Sequence, residues 1–144
     1  MTTGTIVIYD SWAEQSVKNA IAAGDTWRMG LSTSTYTPSQ SGHSTLSDIT
    51  NEVSGSGYAR QTLASVTLNR SSAVLTLDFA DPVFTASGGD IVARYWWIYN
   101  DTTASDYLVA YGLLDNTPAD VTATDGNTLT VSINASGLVT WTRG

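Results

Sequence analysis

A chain of 144 residues fits one domain and can bury a core without covalent staples. It has no cysteine, which excludes disulfides and thiolate chemistry, and no run approaching the ~18 apolar residues that a membrane span requires. The formal net charge of -7 would repel a phosphate backbone, so neither nucleic acid nor membrane is expected as a partner.

Met1–Gly4 lacks the basic patch and apolar run of a secretory signal, so synthesis in the cytoplasm is expected. Ile6-Val7-Ile8-Tyr9 is a β-prone run. Residues 1–10 read either as an arm that adds a strand to a neighbouring subunit or as the first strand of the chain's own sheet. Ser11 with Glu14 fits a capping box, and Ala13, Val17, Ala20 and Ile21 share one helical face ahead of Gly24. This predicts one short N-terminal helix over 12–23. Thr26–Thr33 has strand composition. Ser34–Ser47 is a polar loop, with one helical turn expected at Leu46–Ile49. Gly55 and Gly57 supply backbone conformations that other residues reach only with strain. Strands follow at Ala59–Leu63, Ala64–Asn69, Ala73–Phe79 and Val83–Phe84. Ile91–Tyr99 is apolar on both faces, as in a central strand covered on both sides. Tyr107–Tyr111 is its expected hairpin partner. Asp125-Gly126-Asn127 predicts a second hairpin joining Val121–Ala123 to Leu129–Ile133, and Leu138–Trp141 is the last strand. Turn signals every 8–12 residues or so indicate one mainly β domain over 1–144, an antiparallel β-sandwich or jelly-roll-like fold.

Catalytic chemistry has little to work with. The one histidine, His43, lies in a polar loop, and no G-x-S-x-G turn accompanies it. Its bland role is to hold that loop by a hydrogen bond. Asp10, Asp81, Asp90, Asp101, Asp115 and Asp125 sit where Asp caps or nucleates turns, and no carboxylate pair stands out. No D-x-D-x-D-G calcium loop is present. Ser54–Tyr58 is glycine-rich but lacks G-K-[ST] and leads into a strand, so it is no phosphate loop. No catalytic residue, cofactor or metal site is therefore assigned, and no enzyme is expected.

The composition suits contact with other surfaces. Ser and Thr make up about a quarter of the chain, against one lysine, Lys18, and two glutamates, Glu14 and Glu52. Short hydroxyl side chains lose roughly 0.5 kcal/mol less entropy each on ordering than Lys or Glu. Thr also favours ordinary strands, so the same composition fits plain β structure. Trp12, Trp27, Tyr95, Trp96, Trp97, Tyr107 and Tyr111 fall in or near strands, where core packing, a subunit interface or a sugar-stacking face could use them.

Three segments in order carry a resemblance. Asp25–Pro38 (DTWRMGLSTSTYTP), Asn51–Gln61 (NEVSGSGYARQ) and Ala93–Asp101 (ARYWWIYND), followed by Tyr107–Tyr111, resemble small structural proteins of tailed bacteriophages. The likeness runs from about Asp25 to the C-terminus. It departs at Asn100, where Asp is common, and at the bulky Trp96-Trp97 pair. The resemblance implies a head decoration, or cement, protein on the outer capsid surface of the virion. Its expected partners are the major capsid protein and itself, as a homodimer or homotrimer. The candidate interface residues are Ile6, Ile8, Tyr9, Trp12, Trp27, Tyr36, Trp96 and Tyr111. The alternative expectation is a tail or fibre module that binds host glycan.

Overall fold

The computed structural model describes residues 3–12 and 24–142. Among these residues the chain is mainly β. In chain order the strands are β1 (Val7–Ile8), β2 (Trp27–Ser32), β3 (Gln61–Thr62), β4 (Thr67–Ser71), β5 (Val74–Asp78) and β6 (Val83–Thr85). They continue with β7 (Ile91–Ala93), β8 (Tyr95–Asn100), β9 (Leu108–Leu113), β10 (Val121–Ala123), β11 (Thr128–Thr130) and β12 (Val139–Thr142). Residues 10–12 are helical, and Leu46–Asp48 forms one 3-10 turn where a helical turn was expected. Beyond Trp12, the helix expected over 12–23 lies outside the described residues.

Every pairing between these strands is antiparallel. The largest sheet runs β1-β9-β8-β2-β3, and a second runs β12-β5-β4. The N-terminal segment is the first strand of its own sheet, with Val7 opposite Tyr111 and Ile8 opposite Ala110. As expected, β8 is central and forms a hairpin with β9, slipping register between Ile98 and Tyr99. The strand expected over Ile91–Tyr99 is, however, broken at Arg94: Ile91–Ala93 is β7, which pairs with β10 outside this sheet and leaves Val92 exposed. Trp12 links the two sheets: its ring centre lies 6.5 Å from that of Trp27 on β2 and 5.8 Å from that of Trp141 on β12.

The Trp96-Trp97 pair has a steric explanation. Adjacent strand residues point to opposite faces, so each indole needs room on its own side. Gly30 on β2 stands opposite Trp97, and Gly112 on β9 stands opposite Trp96. A Cβ at Gly30 would overlap the Trp97 ring, and one at Gly112 would come within 2.7 Å of Trp96. Both indoles are fully buried. Burying about 200 Å² of ring at about 25 cal/mol per Å² contributes roughly 5 kcal/mol before entropy. A strand glycine costs only about 1 kcal/mol, so the exchange favours the large-small pairing.

The second expected hairpin is corrected. The turn is present: Asn127 N–H donates to Thr124 O at 2.9 Å, with Gly126 at φ +82°. Its two strands do not pair with each other. Instead β10 pairs with β7 and β11 with β6. The corner at 86–90 lies against the corner at 124–127, joined by Ala86 N–H to Asn127 O, Gly126 N–H to Ala86 O and Gly88 N–H to Asp125 Oδ1. The result is a bent ribbon that buries Phe84, Leu129, Ile91, Ala93 and Ala123. A D-G signal specifies a turn, while the choice of strand partner follows from which apolar residues can be buried together.

Candidate interaction surfaces

The eight candidate interface residues divide. Tyr9, Trp12, Trp27, Tyr36 and Trp96 are between 0% and 5% exposed and belong to the chain's own core. In this fold they offer no free surface, which corrects that part of the expectation. Ile6, Ile8 and Tyr111 are half-buried around β1, packed against the core. An aromatic on a strand reads alike in a core and at an interface, because both bury it.

The segment Glu52–Thr62 completes the outer edge of β2. Gln61 and Thr62 pair with Met29 and Arg28. Further along, Val53 N–H donates to Leu31 O at 3.0 Å, and Leu31 N–H donates to the Tyr58 hydroxyl at 2.9 Å. That phenol takes the place of a strand carbonyl. Gly55, Ser56 and Gly57, all at positive φ, turn the chain so that Tyr58 reaches this position. Arg60 holds Glu52 through two bonds of 2.8 and 2.7 Å, and the Tyr58 hydroxyl donates to the same carboxylate at 2.9 Å. The guanidinium lies 5.3 Å from the Trp97 ring centre and 5.5 Å from that of Tyr99. Hydrogen bonding to Glu52 raises the Arg60 pKa, and burial raises that of Tyr58. The segment is a structural clamp.

His43 ends a second network. The Tyr9 and Tyr36 hydroxyls lie 3.2 Å apart, and the Tyr36 hydroxyl lies 3.0 Å from His43 Nδ1. Burial pushes both phenols up, Tyr9 most. Gln40 of the same loop grips β1, with Nε2 donating to Ile8 O and its carbonyl accepting from Asp10 N–H. The loop thus straps β1 to the sheet, with His43 holding it by a hydrogen bond. Asp48 accepts from Ser44 and Thr45 N–H at 2.8 and 2.9 Å, which lowers its pKa.

The aspartates are similarly occupied. Asp81, Asp90, Asp115 and Asp125 each accept a backbone N–H, and Asp101 pairs with Arg28 at 3.0 Å. Asn100 uses both ends of its amide, donating to Asp25 at 2.9 Å and accepting from Thr102 N–H at 3.0 Å. No group of three or more His, Asp or Glu side chains suited to a metal occurs among the described residues. Nor is any described helix long and apolar enough to cross a membrane.

Two outward features stand out. On the bent ribbon Val83 faces Thr130, Thr85 faces Thr128 and Val92 faces Thr122. All six are exposed, and Val83 and Val92, at 44% and 42%, are the large apolar residues most open to water among the described residues. Sequence alternation alone did not mark this face, because short strands of Val and Thr read the same inside and out. Separately, a groove of about 380 Å³ lies beside β1 and β9, lined in part by Thr5, Tyr95, Tyr111, Asn116 and Pro118. Comparison with protein-family models, curated proteins and solved structures finds no match for this chain.

Proposed function

We propose that this chain is a virion structural protein, a decoration protein that binds the outer surface of a phage head as a homodimer or homotrimer and stabilises contacts between capsomers. The same reading takes the two larger sheets as layers of a jelly-roll-like sandwich. The observation that carries it is the ribbon face of Val83, Thr85, Val92, Thr122, Thr128 and Thr130, which is exposed, uncharged and built on paired strands. Such side chains lose little rotamer freedom when covered and meet no charge-desolvation cost. Many weak copies of such a contact, fixed in one lattice, bind by avidity. The three segments that carry the phage resemblance supply the framework: β2, its edge clamp and the β8–β9 hairpin.

The test is co-sedimentation with purified phage heads and with unassembled major capsid protein. Saturable binding to heads alone, lost in Val83→Lys/Val92→Lys, is the expected result. Absence of uptake by any assembled shell, or uptake unchanged by the double variant, rejects the proposal.

A further inference from the structure

The groove beside β1 and β9 has a construction that the capsid reading does not use. Tyr95 on β8 and Tyr111 on β9 sit diagonally on one face, since Tyr95 is in register with Leu113 and Tyr111 with Trp97. Each ring is backed by a buried tyrosine. Tyr9 lies 5.0 Å from Tyr111 between ring centres, and Tyr36 lies 5.7 Å from Tyr95 at 87°. The two backing tyrosines are joined through their hydroxyls at 3.2 Å, and His43 fixes Tyr36. The groove-lining rings are therefore held before any ligand arrives, which lowers the entropic cost of binding. Among the described residues neither the Tyr95 nor the Tyr111 hydroxyl has a hydrogen-bond partner. Asn116 adds an exposed amide and Thr5 an exposed hydroxyl. Among the described residues no charged side chain lines the groove, although the chain as a whole carries a net charge of -7.

We propose that this groove binds a neutral carbohydrate, one or two pyranose units of a glycan. The volume of about 380 Å³ falls in the lower part of the ~300–1,000 Å³ range of small-ligand sites. Sugar C–H faces stack on aromatic rings, while hydroxyls need both donors and acceptors, which phenol and amide groups supply together. The uncharged lining selects against sialylated or sulfated sugars, whose charge would find no partner there. The site is distinct from the ribbon face, so head binding and sugar binding can be lost separately.

The experiment is an NMR titration of the full chain with methyl glucoside, methyl galactoside, N-acetylglucosamine, maltose and lactose, with sialyllactose as the anionic control. Saturable shifts at Tyr95, Tyr111 and Asn116 with at least one neutral sugar are expected, with half-saturation on the order of 1 mM. Asn116→Ala, at an exposed position, should weaken that binding about tenfold without altering the rest of the spectrum. Tyr111→Phe keeps the ring against Tyr9 and should weaken it several-fold. No shift with any neutral sugar at about 20 mM, well above the expected half-saturation, overturns the proposal. So does tighter binding of sialyllactose, or binding that both variants leave unchanged.

Discussion

Space and donor count decide the informative single residues. Gly30 and Gly112 both lie at ordinary strand angles, so their role is to leave room for an indole rather than to adopt a special backbone. Gly112→Ala should lower stability by about 1–3 kcal/mol in urea unfolding, as forced overpacking does. Gly55, at φ +75° with open space around it, should cost only the ~1–2 kcal/mol of its left-handed backbone when changed to Ala. Asn100 departs from the Asp common in the resembling proteins, and the structure supplies a reason. Its amide donates to Asp25, which a carboxylate could not do. Asn100→Asp should destabilise by about 1–3 kcal/mol at neutral pH, because it replaces a donor with a second carboxylate facing Asp25. Thermal unfolding at neutral pH checks it.

Between residues and the whole fold, hydrogen bonds outside the regular ladders finish the elements. On its outer edge, away from β8, the far half of β2 has no partner strand and relies on Val53 and the Tyr58 hydroxyl. Tyr58→Phe leaves Leu31 N–H, on a fully buried residue, without its acceptor. The expected loss is about 1–2 kcal/mol, with faster hydrogen exchange at Leu31 than at Met29. The 3-10 turn depends on Asp48 in the same way. Its folded pKa is lowered by the Ser44 and Thr45 N–H groups, so its contribution is present above the unfolded carboxylate pKa and fades as pH falls through the folded one. In acid titrations Asp48→Asn should be less stable than the parent at neutral pH, and the gap should close as the solution is acidified below the ordinary carboxylate range. A gap independent of pH would assign the turn's stability elsewhere.

For the molecule as a whole, the division between inside and outside matters most. Among the described residues most of the large aromatics fill the core, and the most exposed large apolar side chains are two valines on a Thr-rich ribbon. Val83→Lys/Val92→Lys should therefore change stability by no more than about 0.5 kcal/mol per site, since neither side chain leaves a core cavity. Against that unchanged melting temperature, any loss of head binding reports on the surface alone.

Strand composition, alternation and turn chemistry by themselves determined that this chain is mainly β, that the Tyr95–Tyr99 part of the expected strand lies at the centre and that a hairpin follows it. These are local properties: side-chain period, β-branching and glycine at special angles act over a few residues. Tertiary structure alone decided which strands pair across the 124–127 turn, that residues 4–9 return to their own sheet, and that five candidate interface residues are core. It also assembled the Tyr9–Tyr36–His43 strap and the Glu52–Arg60 clamp. Each of those outcomes depends on which distant apolar groups are buried together and which distant polar groups then meet, and residue spacing along the chain carries neither.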